Sequence, residues 1–445
     1  MFRNKKEVEE YIYSSYVNRY KHIPSGTDNF TRNPHLARKM LDELGALDRL
    51  QKNIMITGSK GKGSLSVMIA KILENHGFNI GLFTSPHLRD YRERIRINGK
   101  AISEKDLLNL ANQLEPIYDD IEKSLPKHRY IGPVGATAVM AMSHFYNNKT
   151  DFNVIECGRG ARFDDVNQIQ GFVGGINKIF LEHVGPLGHT IDEVAHHKAG
   201  LIKRPLEAVF TAEQSKYADL VLRYEARKFE IPYFAYNQSF SSYDISLTNQ
   251  GTEFSVKSKY GKYEGLCLSL LGRHQAENGA LAIAISEYIL GRKLDVNILR
   301  ETLKNIKWPG RMEILERNPL VILDGCISRE SMTQVKEIID FLEFKKMKAI
   351  VAIPEDKDYL GVIEMLKAYD CEIILTYADN DYLKFSKNQV VEARKISTIK
   401  FIDNVSDSIE YAKQQVDENT LILCLGTQSF IKDVKTYYQE DTLNI

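Results

Sequence analysis

The stretch TGSKGKGS, residues 57–64, lies between the apolar run NIMI and the periodic segment LSVMIAKILENHG. A glycine-rich turn between a strand and a helix lets backbone N–H groups point at phosphate oxygens, and the helix start adds partial positive charge. Lys62 can reach the terminal phosphates of a nucleotide, although Gly63 separates it from Ser64, which departs from the usual spacing. The alternative is a glycine-rich turn with a solvated lysine, but the flanking strand and helix favour a phosphate-binding loop. That loop would comprise Gly58, Gly61, Lys62, Gly63 and Ser64.

Apolar strand-like runs alternate with helical segments around this loop, an order typical of a mainly parallel sheet covered by helices. Residues 233–271 instead form short alternating runs between turn sequences, which predicts an antiparallel appendage at the edge of the first domain. The WPG sequence at residues 308–310 predicts a break before a second series of apolar runs and helices. We therefore predict an α/β fold. It has a P-loop-type ATPase domain at residues 1–305, a hinge at 306–312 and a smaller Rossmann-like α/β domain at 313–445.

The composition points to a small-molecule function. A chain of 445 residues exceeds what one hydrophobic core usually serves, and its 59 basic and 59 acidic residues provide no net field for nucleic acid or an anionic membrane. No apolar run approaches the roughly 20 residues of a membrane span, and the charged N-terminal segment is typical of an amphipathic helix. The 5 scattered cysteines form no CxxC pair, so we expect reduced thiols and no zinc site. We expect a soluble, cytoplasmic monomer without nucleic-acid or membrane partners.

The phosphate loop, in its GxxGKGS form, is similar to that of the Mur ligase superfamily and, within it, of the folylpolyglutamate synthase and dihydrofolate synthase family. A second stretch, FTSPHLRDYRERIRINGKAIS at residues 83–103, resembles that family's own sequence. In the family, the serine of the Thr-Ser-Pro-His run binds magnesium, and the resemblance assigns this role to Ser85. Taken alone, Ser85 would be a turn residue before Pro86.

A third stretch, VIECGRGARFDDVN at residues 154–167, is similar to the family's Glu-x-Gly-x-Gly-Gly-Arg-x-Asp-x-x-Asn run, with Ala161 in place of one glycine. Glu156 ends an apolar strand, and a carboxylate at the carboxyl edge of a parallel sheet is well placed to bind a hard cation. The resemblance implies that Glu156 binds the magnesium of Mg·ATP. As an isolated residue it would more often be a solvated strand end.

A fourth stretch, residues 176–205, follows the family's Asp-His, Leu-Gly-x-Thr and Lys-Ala-Gly pattern, although Glu182 stands where aspartate is usual. The resemblance assigns a second magnesium to His183 and a carbamate to Lys198. A carbamylated lysine is an anion that can hold a metal, whereas an ammonium would repel it. Without the resemblance, Lys198 would be an ordinary lysine on a helix surface.

Three further residues would contact the nucleotide. RHQAENGALA, residues 273–282, resembles a family string whose asparagine contacts adenine, and this asparagine corresponds to Asn278. WPGRMEIL is similar to the family's Pro-Gly-Arg-x-Glu hinge, and the resemblance implies that Arg311 reaches the nucleotide phosphates when the domains close. VILDG resembles the start of a family motif whose aspartate contacts ATP across the cleft, which implies this role for Asp324. Singly these residues are ordinary helix, linker and strand-end residues, and their combination favours the nucleotide roles.

The second domain departs from the family motif Asp-Gly-Ala-His-Asn-Pro. The sequence reads DGCISRES from Asp324, so Ile327 replaces the histidine and Ser328 the asparagine. In the phosphate loop, Lys60 stands where family members usually carry asparagine. We expect ATP-dependent ligation to survive these changes, because the first domain supplies the phosphate loop and both metal sites.

The resemblance implies an ADP-forming ligase that uses ATP to convert a carboxylate into an acyl phosphate and then into an amide. Its cofactors would be ATP, two magnesium ions and carbamylated Lys198, with Lys62, His183 and Lys198 in catalytic roles. The leading substrates are a folate-type carboxylate and glutamate, and one alternative is a Mur-type ligase for a non-folate acid and an amino acid. Another alternative is a nucleotide-binding protein without ligase activity, which loss of the metal residues would favour. All four of these are present: Ser85, Glu156, His183 and Lys198.

Overall fold

The computed structural model describes residues 1–248, 250–380 and 383–445. A large sheet organises the first part of the chain, with strands β1 (Asn53–Thr57), β2 (Ile80–Phe83), β3 (Ile95–Ile97), β4 (Lys100–Ala101), β5 (Phe152–Glu156), β6 (Val173–Ile176), β7 (Ala208–Thr211) and β8 (Tyr233–Ala235). The strands lie in the order β4-β3-β2-β5-β1-β6-β7-β8. Strand β3 is antiparallel to both neighbours, and the remaining described pairs are parallel.

Helices cover both faces of this sheet: α1 (Lys5–Arg19), α2 (Asp28–Thr31), α3 (Pro34–Glu43), α4 (Lys62–Asn75), α5 (Glu104–Ser124), α6 (Pro133–Asn147), α7 (Ile191–Ala199), α8 (Lys216–Lys228), α9 (Arg273–Leu290) and α10 (Val296–Lys304). Met55 of β1 packs in a cluster with α1, α3 and α5 to α8. Ile54 and Ile56 point to the opposite face and pack with α4, α9 and α10. Burial on both faces explains why the strand sequences are continuous apolar runs.

A three-stranded antiparallel sheet packs against α9. Its strands are β9 (Ser241–Thr248), β10 (Gly251–Ser258) and β11 (Gly261–Leu268), in the order β11-β10-β9. Phe254 lies so close to Gly279 of α9 that a Cβ at this glycine would be 2.8 Å from Phe254 Cζ. The antiparallel appendage expected from residue 233 is present but begins at residue 241. Residues 233–235 form β8 instead, which pairs in parallel with β7 of the large sheet.

A second, smaller sheet follows, with strands β12 (Glu313–Arg317), β13 (Leu320–Asp324), β14 (Lys346–Ala352), β15 (Cys371–Leu375), β16 (Ile399–Phe401) and β17 (Thr420–Gly426). The order is β12-β13-β17-β14-β15-β16, with β12 and β13 antiparallel and the other described pairs parallel. Its helices are α11 (Arg329–Phe341), α12 (Tyr359–Leu366), α13 (Lys387–Ile396), α14 (Val405–Ala412) and α15 (Gln428–Tyr437). The α/β fold predicted from the sequence, with a second α/β unit, is confirmed.

The segment predicted as a hinge, residues 306–312, lies between α10 and β12, and its role as the domain boundary stays a prediction. The cysteines are free thiols, as expected. Among the residues described, no helix has the length and apolar character needed to cross a lipid bilayer.

Candidate active site

The glycine-rich turn between β1 and α4 forms a backbone loop at the carboxyl edge of the large sheet. Gly61, which precedes the first residue of α4, has a φ of +75°, and a Cβ there would lie 2.6 Å from Asn177 Nδ2. Glycine satisfies both the left-handed backbone and the close approach. The first N–H groups of α4, which have no partner within the helix, therefore begin at a glycine turn that packs against Asn177.

Gly63, the residue that departs from the usual loop spacing, has a packing reason. A Cβ at this position would lie 2.8 Å from Trp308 Cζ2. Trp308 is the single tryptophan of the chain and belongs to the segment between the two sheets. The phosphate loop is therefore in direct contact with the interdomain segment.

Lys62 lies over its own loop. Its ammonium donates to the Gly58 carbonyl oxygen at 3.1 Å and to the Ser59 carbonyl oxygen at 3.4 Å. Both bonds are long and partly exposed to solvent. A phosphate oxygen bound in the loop would be a stronger, charge-assisted acceptor for the same ammonium.

Ser85 and Glu156 lie side by side because β2 and β5 are neighbouring parallel strands. The Ser85 N–H donates to Glu156 Oε2 at 3.2 Å, and Glu156 is only 5% exposed. Burial raises the pKa of Glu156, whereas the charge of Lys62 opposes that rise. A buried carboxylate with one backbone donor and no ion pair among the described residues suits a hard divalent cation.

Lys198 is fully buried in α7, so it is not an ordinary surface lysine. Its Nζ lies 2.8 Å from Glu182 Oε1 and donates to the Gly58 carbonyl oxygen at 2.8 Å. Burial lowers the pKa of Lys198 to about 8, although the Glu182 carboxylate acts to raise it. The contact with Gly58 ties α7 directly to the phosphate loop.

His183 follows Glu182 and is half-exposed, with its Nε2 4.0 Å from Glu182 Oε2. Glu182 thus lies between the two residues that the sequence assigned to a second metal. The sequence identified Glu182 only as a change from aspartate, since nothing local shows that a buried lysine is its partner. Within residues 1–248, 250–380 and 383–445, no group of three or more His, Cys, Asp or Glu is arranged to hold a metal ion. A metal at either position would therefore need further oxygen ligands, such as phosphates.

A cleft of about 480 Å³ lies between the large sheet and the second sheet. On the side of the large sheet, the cleft is lined by Gly61, Ser64 and Asn278. On the facing side it is lined by Arg311 and Asp324. The structure therefore brings together five of the residues that the sequence assigned to the nucleotide.

Several polar groups on the walls of this cleft have no protein partner in the described part of the chain. Lys60 and Arg311 make no hydrogen bond or ion pair, and Lys60 Nζ lies 6.0 Å from the centre of the Phe180 ring. His274 Nδ1 and Thr427 Oγ1 are buried without a hydrogen-bond partner. Since burial also lowers the pKa of His274 to about 4, its ring is neutral near pH 7. Two unpaired cations with nearby polar groups suit an anionic ligand with hydroxyl or base groups.

Asn278 is held in a chain of amides on α9. Its Oδ1 accepts from Asn177 Nδ2 at 2.8 Å, and its Nδ2 donates to Gln275 Oε1 at 3.0 Å. Asn177 also fills the space beside Gly61, so this chain links the phosphate loop to the cleft wall. Sequence reasoning missed Asn177, although it follows the apolar strand β6 as Ser85 follows β2.

A smaller cavity of about 50 Å³ adjoins the cleft. Ser85, Glu156 and Trp308 line it, and Arg311 and Gln428 line both cavities. The residues predicted to bind the first metal thus lie next to the residues predicted to bind the phosphates, with Arg311 between the two spaces.

Sequence comparison identifies the relatives of the chain. The family model for the Mur ligase middle domain matches residues 133–286. The dihydrofolate synthase/folylpolyglutamate synthase of Bacillus subtilis is 29% identical over 419 residues, which cover 92% of this chain and 96% of that protein. The folylpolyglutamate synthase of Lacticaseibacillus casei is 28% identical over 337 residues, or 74% of this chain and 78% of that protein.

Solved structures agree with this relationship. The crystal structure of folylpolyglutamate synthase from Thermotoga maritima aligns with a TM-score of 0.84 at 26% identity, covering 98% of this chain and 96% of that one. The Mycobacterium tuberculosis folylpolyglutamate synthase complexed with ADP aligns with a TM-score of 0.87 at 23% identity over 98% and 99% of the two chains, which shows the shared fold. The chain therefore belongs to the folylpolyglutamate synthase and dihydrofolate synthase family of Mur ligase-type proteins.

Proposed function

We propose that this protein is an ATP-dependent ligase that joins glutamate to a folate-type carboxylate, releasing ADP and phosphate. The observation that carries the proposal is the cleft in which the phosphate loop faces Arg311 and Asp324. The named relatives, which are folylpolyglutamate and dihydrofolate synthases, support the same class of reaction and substrate.

ATP would lie in the cleft with its phosphates on the loop between β1 and α4. Lys62 would exchange its two carbonyl acceptors for phosphate oxygens, and Arg311 would add a second cation from the interdomain segment. Asn278 would face the adenine by giving up one of its two amide bonds. Lys60 supplies a further cation to the cleft that Ile327, the replacement for the family histidine, also lines.

Ser85 and Glu156 would hold the magnesium of Mg·ATP together with phosphate oxygens. An ion bound there supplies positive charge against the charge that develops on the transferred phosphoryl group. The charge of Lys62 and the hydrogen bond from the Ser85 N–H both oppose the rise that burial causes in the pKa of Glu156, and a bound cation would oppose it further. The substrate carboxylate attacks the γ-phosphorus, a transfer that depends on positioning rather than on a protein nucleophile. An acyl phosphate and ADP result.

The amine of glutamate then attacks the carbonyl carbon of the acyl phosphate, phosphate leaves and an amide remains. We place this step beside Glu182, His183 and Lys198, where Lys198 contacts the loop at Gly58. As an ammonium, Lys198 holds Glu182 and the Gly58 carbonyl and so fixes the loop. In the active protein we propose that Lys198 carries a carbamate, which with His183 would bind a second magnesium. The carbamate and the adjacent Glu182 carboxylate would repel each other, so Glu182 would bind the same cation.

We further propose that the protein acts in the cytoplasm as a monomer on small-molecule substrates. The equal numbers of acidic and basic residues, 59 of each, support small-molecule substrates, because no excess charge attracts a nucleic acid or an anionic membrane.

The function is tested by measuring ADP formation by the native protein with Mg·ATP, tetrahydrofolate and glutamate, then with a wider panel of acids and amino acids. ADP release that requires both tetrahydrofolate and glutamate is the expected result. Release only with non-folate acids would keep the ligase and reject the folate substrate. No release with any pair, despite tight Mg·ATP binding, would favour a nucleotide-binding protein without ligase activity.

A further inference from the structure

Residues 439–445, which follow α15 of the second sheet, extend to the edge of the large sheet. The Ala101 N–H donates to the Leu443 carbonyl at 2.8 Å, and the Ile445 N–H donates to the Gly99 carbonyl at 3.1 Å. Lys100 and Asn444 form an antiparallel bridge. The segment therefore adds a short stretch of pairing beside β4 and connects the second unit to the first away from the cleft.

Thr442 is the buried centre of this contact, at 4% exposed. Its hydroxyl donates to Glu93 Oε1 at 2.6 Å, and its carbonyl accepts from Arg96 Nη2 at 2.9 Å. Arg96 is itself buried, and burial lowers its pKa to about 10. It donates to the carbonyl oxygens of Glu93 and Thr442, and a buried guanidinium needs such acceptors. Glu93 and Arg96 both line the small cavity next to Ser85.

Glu93 organises the loop that carries Ser85. Its carboxylate accepts from the backbone N–H groups of Leu88, Arg89 and Asp90, at 2.9, 3.0 and 2.9 Å. These three residues close the turn that starts at Ser85. The Thr442 hydroxyl is a fourth donor to the same carboxylate and the one that comes from the second half of the chain.

We propose that Thr442 is a positioning residue for the magnesium site, because its hydrogen bond fixes the Glu93 carboxylate that holds the Ser85 loop. This role of Thr442 rests on one part of the proposed function, namely that Ser85 and Glu156 bind the magnesium of Mg·ATP. Residues 439–445 then have a role at the active site. Because they follow α15 and pair beside β4, they link the second sheet to the Ser85 loop. Loss of the hydroxyl should loosen the loop and weaken metal binding while leaving the nucleotide cleft intact.

Trp308 provides a readout that does not depend on catalysis. It is the single tryptophan, it packs on Gly63 and it lines the small cavity with Ser85 and Glu156. Magnesium is titrated into the full-length protein at saturating ATP, without acid or amino acid, and the emission of Trp308 is recorded. The variants are Thr442→Val, which removes the hydroxyl at similar volume, and Thr442→Ser, which restores it.

The half-saturating magnesium concentration should rise roughly threefold to tenfold in Thr442→Val. This is less than the full loss of a hydrogen bond to a charged acceptor, because Thr442 acts on the metal site only through Glu93. Thr442→Ser should stay within about twofold of the native protein, and ATP affinity without magnesium should be unchanged in both variants. The matched control is Thr302→Val, since the buried Thr302 hydroxyl donates to a carbonyl at 2.7 Å far from Glu93. This control should lower thermal stability without shifting the magnesium titration.

A magnesium titration of Thr442→Val within twofold of the native protein would overturn the role of Thr442, as would an equal shift in Thr302→Val. If the native protein shows no magnesium-dependent signal at all, the metal site of the proposed function fails, and the inference fails with it. A second comparison does not depend on the stability of one variant. In a Glu93→Ala background, which lacks the acceptor, Thr442→Val should add less than about twofold, because the two residues act through one bond. Full additivity would contradict the proposal.

Discussion

Replacing Lys62 by alanine removes the ammonium that lies over the phosphate loop. In the structure this ammonium contacts two carbonyl oxygens at 3.1 and 3.4 Å, each a bond with a net value of about 1 kcal/mol. We therefore expect the free energy of unfolding to fall by no more than about 2 kcal/mol. The loss in phosphoryl transfer should be larger, about 3–4 kcal/mol, which corresponds to a 10²- to 10³-fold decrease in kcat/KM.

The variant should also respond differently to pH. Lys62 is the leading charge that opposes the burial-raised pKa of Glu156, so its removal lets that pKa rise further. A carboxyl with a higher pKa takes up its proton at a higher pH and then no longer binds a cation. The residual activity of Lys62→Ala should therefore begin to fall at a higher pH than that of the native protein, and added magnesium should partly restore it.

Coupled detection of ADP gives kcat and KM, and calorimetry gives the unfolding temperature. Lys348→Ala is the matched control, because Lys348 Nζ also donates to a backbone carbonyl, that of Gln414, at 2.8 Å and lies in the second sheet. The control should keep its turnover. Near-normal turnover of Lys62→Ala would refute the assignment of the phosphate loop, and an equal loss in the control would refute its specificity.

Three other changes test the site. With ¹³C-labelled carbon dioxide, a carbamate signal from Lys198 should appear only when magnesium is present, because Glu182 lies 2.8 Å from Nζ and would repel an uncompensated carbamate; an unmodified Lys198 in a high-resolution map, with Lys198→Ala fully active, would remove the residue from the mechanism. Ile327→His should lower the KM for ATP by less than about tenfold with little change in kcat, whereas a native protein inactive until this histidine is restored would contradict the view that the first domain suffices. Gly63→Ala places a Cβ 2.8 Å from Trp308 Cζ2, so it should shift the emission of Trp308 and reduce ADP formation at least roughly tenfold; an active variant with unchanged emission would show that the contact is dispensable.

Several of the site residues that the sequence predicted lie at or just after the ends of apolar strands. Ser85 and Glu156 each come directly after or at the end of such a run, and the carboxyl ends of parallel strands share one edge of the sheet. The phosphate loop was recognisable for the same reason. Ligand roles for all these residues stay predictions, while their proximity is a property of the fold.

What the sequence did not predict depends on contacts between distant segments. Residues 233–235 form a strand too short to show a period, so the change of pattern near them suggested the wrong sheet. The Glu182 partner, Lys198, lies on another element, and its complete burial is decided by packing around α7. Residues 439–445 have no repeating pattern, and their place beside β4 follows from the arrangement of the two sheets.

The contact between Phe254 and Gly279 limits how far the molecule can be reduced in size. Helix α9 carries Gln275 and Asn278 on one side and packs against the three-stranded sheet on another. A shortened protein without residues 241–268 would lose Phe254 and expose the surface of α9 around Gly279 to water. Helix α9, which carries Gln275 and Asn278, would then lose its packing against the small sheet. The small sheet is therefore not a removable module, and a transplant between relatives would have to carry α9 and the sheet together.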